Sequence, residues 1–153
     1  MNSTTSTPVH VYMQTNIKQG NEQDKMTVEA PGQIYVKQNY TYVTFTEKLE
    51  GLGDVKTVLK VAADEVTVMR KGPIEMRQVF QYGTVTEGAY DTPYGKLKTE
   101  AKTDHIEVKW QEEAAAHERK RHTIDFGYDL HLAGSSAGRY DVMISIEEET
   151  EEP

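Results

Sequence analysis

The run Val9-His10-Val11-Tyr12-Met13-Gln14-Thr15-Asn16-Ile17-Lys18 decides the class of fold. Val9, Val11, Met13, Thr15 and Ile17 share one face. His10, Tyr12, Gln14 and Lys18 share the other. A period of two is the signature of a β-strand with one covered side. Outward from this run, the same alternation returns along the chain. Met26, Val28 and Ala30 carry it to Pro31-Gly32, which reads as a bulge or corner, and Ile34 and Val36 continue it. Thr41, Val43 and Phe45 follow, then Val55, Thr57, Leu59 and Val61, then Val66, Val68 and Arg70. Ile74, Met76, Gln78, Phe80 and Tyr82 form a longer face, and Val85, Glu87 and Ala89 a shorter one. Leu97, Thr99 and Ala101 lie on one face and Ile106, Val108 and Trp110 on another. Ile124 to Leu132 and Tyr140 to Ile146 close the series.

Composition agrees. The 153 residues include 14 Val, 7 Ile and 17 Thr but 6 Leu, a balance that suits pleated, half-buried surfaces. The connections are short and rich in Gly, Pro, Asn and Asp, which forces consecutive strands to be antiparallel. An open sheet of this length would leave long bare edges, so closure is expected. The prediction is an all-β protein: a single antiparallel β-barrel of about eight to ten strands, mostly a meander. Residues 1–7 read as a disordered leader, 8–147 as the barrel domain and 148–153 as an acidic disordered tail. Gln111 to Arg121, with Ala114-Ala115-Ala116 among Glu and Arg, reads as a hairpin loop carrying one or two helical turns.

Charge and cysteine content narrow the function classes. The chain has 17 Lys and Arg against 25 Asp and Glu, a formal net charge of −8. Glu147, Glu148, Glu149, Glu151 and Glu152 supply much of that excess and read as a solvated end. Nucleic acid and anionic membranes both require clustered cations, so neither is expected as a partner. Arg119-Lys120-Arg121 is basic but sits beside Glu112, Glu113 and Glu118. There is no Cys, no apolar run of membrane-spanning length and no secretory pattern at Met1 to Thr7, which together predict a cytoplasmic protein.

Several stretches resemble one known family. They are Val66-Thr67-Val68-Met69-Arg70-Lys71-Gly72-Pro73-Ile74-Glu75-Met76-Arg77-Gln78-Val79-Phe80, Ile34-Tyr35-Val36-Lys37-Gln38-Asn39, the Tyr94-Gly95 turn, and Ile124-Asp125-Phe126-Gly127-Tyr128-Asp129-Leu130-His131. In these the chain resembles the YwiB-like family of small bacterial proteins, over about Val9 to Ile146. The resemblance implies a lipocalin-like (calycin-type) barrel and no established activity or site residues. Secreted lipocalins usually carry a Gly-x-Trp near the first strand, whereas the single tryptophan here is Trp110.

The candidate site is the barrel interior. Arg70, Gln78, Glu87 and Tyr128 are polar residues on otherwise apolar faces, and Met76, Phe80 and Phe126 are their large apolar neighbours. If the faces point inward, Arg70 needs a carboxylate, because an unpaired buried charge is very costly. Glu87 is the partner the alternation suggests. Such a set serves either as the polar lining of a small-ligand cavity or as a structural ion pair in a filled core. His117 and His122 are five residues apart, one too many for a His-Glu-x-x-His zinc helix. No Gly-x-Ser-x-Gly elbow or phosphate-cradling glycine loop occurs. Asp125 and Asp129 share a polar face of the kind common at solvent. The expectation is a non-enzymatic protein without cofactor or metal that binds a small molecule in its interior. The alternative is a filled barrel acting as a protein-interaction or self-association module, for example a homodimer.

Overall fold

The computed structural model describes residues 5–149. It contains ten strands in chain order: β1 (Thr7–Gln19), β2 (Glu22–Lys37), β3 (Tyr40–Leu49), β4 (Gly53–Val61), β5 (Glu65–Lys71), β6 (Glu75–Gln81), β7 (Val85–Thr92), β8 (Gly95–Lys109), β9 (Arg121–Leu132) and β10 (Ser135–Glu148). Each pairs antiparallel with the next, and β10 returns to β1, so the meander closes into a barrel. The closing seam is long, with register running from Val9 opposite Glu148 to Lys18 opposite Arg139. Among the described residues no helix is long and apolar enough to cross a membrane.

The tight turns follow from backbone chemistry. Gln38-Asn39 and Ala133-Gly134 are two-residue loops in which both residues have positive φ. That combination gives a turn whose twist matches the strands it joins. The strands β1, β3, β5, β7 and β9 all run from the end holding both termini toward the opposite end. The terminal end is packed solid by Val9, Val11, Val43, Leu59, Val61, Val66, Ile124, Ile144 and Ile146, all essentially inaccessible.

Four sequence expectations need correction here. Pro31-Gly32 is no interruption: β2 runs through it in constant register with β1. It marks instead the point at which pairing with β3 stops, since β2 and β3 are joined only from Gly32 opposite Phe45 to Lys37 opposite Tyr40. Proline lacks an N–H and fits where no partner strand needs one. The stretch between β8 and β9 has no helix, only a turn closed by the Glu118 N–H donating to the Ala115 carbonyl at 2.9 Å. The barrel starts at Thr7, inside the expected leader, and includes Glu148, the first residue of the expected tail. Residues 1–4 and 150–153, the rest of those two segments, lie outside the described residues. Finally, β7 is inverted relative to the sequence reading. Val85, Glu87 and Ala89 face solvent, and Thr86, Gly88 and Tyr90 occupy the other face. The parity change between Thr103 and Ile106, by contrast, is absorbed by a bulge at Asp104, which turns both Ala101 and Ile106 toward the core.

Gly88 shows why β7 must be inverted. It lies opposite Gln78 on β6 and Thr99 on β8. The Thr99 hydroxyl donates to Gln78 Oε1 across it. A Cβ at position 88 would sit 2.6 Å from the Arg77 carbonyl and 2.6 Å from Thr99 Oγ1. Gly88→Ala is therefore expected to cost about 1–3 kcal/mol through overpacking. The outward substitution Ala89→Val beside it should stay within about 0.5 kcal/mol of the parent. Urea denaturation of the two variants checks this.

Candidate functional site

Beyond its packed half, the barrel holds a cavity of about 280 Å³. That is near the ~300 Å³ lower bound of ordinary small-ligand sites. One wall is aliphatic, built by Met13, Ile17, Met26 and Val28 on β1 and β2. A second part of the wall, on β6, β9 and β10, is aromatic. Phe80 lies 4.3 Å from Tyr128 and 4.9 Å from Phe126 between ring centroids, and Tyr128 stacks on Tyr140 at 5.3 Å and 11°. Such packed aromatic pairs add stabilisation beyond the area they bury. The cavity reaches the gap where β2 and β3 part, because Met26 and Val28 on one lip and Glu47 on the other all line it.

Six of the seven residues picked from the sequence line this cavity: Arg70, Gln78, Tyr128, Met76, Phe80 and Phe126. Glu87 does not. It faces solvent and pairs with Lys98 at 2.9 Å on the outer surface. The carboxylate that meets Arg70 is Glu47, buried in the wall, with Oε2 3.1 Å from Arg70 Nε and Oε1 accepting from Nη2 at 3.4 Å. The Thr57 hydroxyl also donates to Glu47. Glu47 sits two residues past Phe45 on the same strand face. Extending the Thr41, Val43, Phe45 alternation by one step finds it.

Gln78 serves the wall of the barrel more than its interior. Pairing of β6 with β7 ends at Gln78 opposite Gly88. Beyond that point side chains stitch the split. Gln78 Nε2 donates to the Val79 carbonyl at 3.0 Å and to the Thr86 carbonyl at 3.3 Å, and the Thr86 hydroxyl donates to the Val79 carbonyl. With Oε1 accepting from Thr99, the Gln78 amide is committed to the wall rather than to the lumen. Tyr128 is buried, and that burial raises the pKa of its phenol well above the ordinary value. Burial raises that of Tyr140 too. Both rings stay neutral.

At the terminal end a second polar group locks the long β8–β9 connection. His122 is buried beneath it. Its Nδ1 accepts the Gln111 N–H at 3.0 Å and its Nε2 lies 2.7 Å from Glu148. Arg121 donates to Glu147 at 2.9 Å, and the Trp110 ring meets the imidazole edge-to-face at 5.4 Å between centroids. Arg121 holds the Glu147 carboxyl below the usual carboxylate range. Two of the acidic residues near the C-terminus are thus structural partners of β9. His10, His105 and His131 are exposed. Asp129 lies on the outer surface, 3.8 Å from Arg139.

The model of a domain of unknown function, DUF1934, matches residues 11–144 of the chain. The uncharacterized beta-barrel protein YwiB of Bacillus subtilis (strain 168) is 31% identical over 141 residues, which cover 92% of this chain and 94% of that protein. The crystal structure of the ywiB protein from Bacillus subtilis matches with a TM-score of 0.81 at 31% identity, covering 95% of this chain and 94% of that one.

Removing Arg70 alone strands a buried carboxylate. Arg70→Met is expected to cost about 3–5 kcal/mol, and adding Glu47→Gln should recover much of it. A double-mutant cycle measured by denaturant titration separates the two. Alkaline pH supplies a further check. The unfolded chain ionises Tyr128 near the ordinary phenol pKa of 10.0, whereas the folded protein holds it protonated. Stability is therefore unaffected below pH 10 and falls as pH rises above it. Tyr128→Phe should lose less stability across that range, read as Tm against pH.

Proposed function

The chain belongs to the DUF1934 family, a family of β-barrels of unknown function, and from that premise we propose that it binds a small, largely apolar molecule in its lumen without transforming it. The carrying observation is the cavity of about 280 Å³ in a barrel whose other half is tightly packed. A space of that size has room for several waters, but most of its lining offers them no hydrogen bond. Methionines at positions 13, 26 and 76 make the wall adaptable, since an unbranched thioether fits irregular shapes. The charged groups that line the lumen are Arg70 and Glu47, and they are paired with each other. That arrangement favours holding a ligand over acid–base work.

The test pairs two measurements. Native mass spectrometry of protein taken from cells is expected to show a retained small molecule on part of the population. Calorimetric titration with 2-octanone, a short apolar ketone, is expected to show one saturable site. Val28→Trp places an indole across the gap-side lip of the cavity. It should abolish both signals while leaving Tm within a few degrees of the parent. Uptake undiminished in that variant would move the site out of the lumen.

A further inference from the structure

Glu47 cancels the charge of the lumen, and this has a consequence for ligand choice that rests on the lumen being the binding site. The Arg70 guanidinium spans its ion pair with one edge. Nη2 donates to Glu47, and Nε lies 3.1 Å from it without being aimed in a hydrogen bond. Among the described residues none accepts from Nη1, and the side chain keeps 23% of its surface accessible. A guanidinium carries five N–H donors in a rigid fork, so donors beyond the one given to Glu47 are left without a protein acceptor on a side chain that lines the cavity. The Tyr128 ring belongs to the same lining, and Arg70 is close enough to influence its hydroxyl. The open polar edge therefore offers donors, which calls for an acceptor on the ligand.

The net charge decides which acceptor. Lumen-lining residues carry one positive and one negative side chain, and burial holds Tyr128 and Tyr140 neutral. A carboxylate placed beside Arg70 would leave an uncompensated negative charge in a largely apolar cavity next to Glu47, and like charges brought together out of water cost several kcal/mol. An uncharged carbonyl leaves the balance at zero and still satisfies the fork. A cation finds Glu47 already engaged by Arg70 and Thr57.

We propose that Glu47 is the specificity-determining residue of the lumen. It restricts the ligand to uncharged molecules with an apolar body and a hydrogen-bond-accepting group, such as a ketone, ester or amide, and turns away the corresponding acids. Its removal exposes an unpaired guanidinium and inverts the preference.

Calorimetry at neutral pH with 2-octanone and octanoate tests this on the full chain. The parent protein should bind 2-octanone at least about tenfold more tightly than octanoate. In Glu47→Gln, which keeps the shape and the Thr57 contact, octanoate should gain affinity and overtake the ketone. Thr57→Val disturbs the same group without changing its charge, and should keep the parent's preference. Equal or tighter binding of octanoate by the parent protein overturns the inference while leaving the lumen as the binding site. Failure of the parent to bind either molecule overturns both. The parent comparison needs no variant, so it stands whatever the folding yield of Glu47→Gln.

Discussion

Closure of the sheet is the constraint on which everything else in this structure rests. A strand edge exposes a row of unpaired N–H and C=O groups, and burying such groups without partners is costly. Ten antiparallel strands remove that problem only if the last pairs with the first. The ten-residue register between β1 and β10 accomplishes this. Once the ring is closed, alternate side chains must point inward. The interior then has to be filled, or left as a cavity, by whatever the sequence places on that parity.

Apart from two bulges, two pairs of neighbouring strands part before their ends, and the chain treats these gaps differently. Between β6 and β7 the lost backbone pairing is replaced by Gln78, Thr86 and Thr99, with Gly88 giving them room. Between β2 and β3 no comparable stitch stands above Gly32 among the described residues, and there the gap communicates with the cavity. The sealed seam lies against the packed aromatic wall, and the open one against methionine and valine. The side chains differ because the two gaps differ in what they must do. Amides and hydroxyls can substitute for a ladder, whereas apolar groups line a lip.

Much of the architecture is legible in the sequence because the alternation of β1, β3, β4, β9 and β10 is unambiguous. One face is rich in Val, Ile and Phe, and the other is mostly polar. It is illegible in β7, where Val85, Thr86, Glu87, Gly88 and Ala89 give neither face a clear hydrophobic majority. The valine and alanine draw the reading to the wrong side, and Glu87 goes with them. The residues that matter there, Thr86 and Gly88, act through hydrogen bonding and through the absence of a side chain, which a hydrophobic count does not register. The pairing of Glu47 with Arg70 escapes for a different reason. A carboxylate looks like the end of a buried face, yet its cation arrives from 23 residues further along, a distance over which no local pattern extends. The same holds for Glu148, which reads as a solvated tail until β9 places His122 beside it.

The seam between the first and last strands also governs when the molecule can exist at all. Of the ten strands β1 leaves the ribosome first and its closing partner β10 last, so the pairing on which the ring depends spans the whole barrel. Contacts of such sequence separation form slowly. Until Tyr140, Val142, Ile144 and Ile146 are available, Val9, Val11 and Met13 form the bare edge of an unfinished curved sheet, the kind of surface that chaperones guard. A barrel that closes its first strand on its last thus spends its synthesis with both of those edges bare, the state in which an edge strand is open to pairing with another chain.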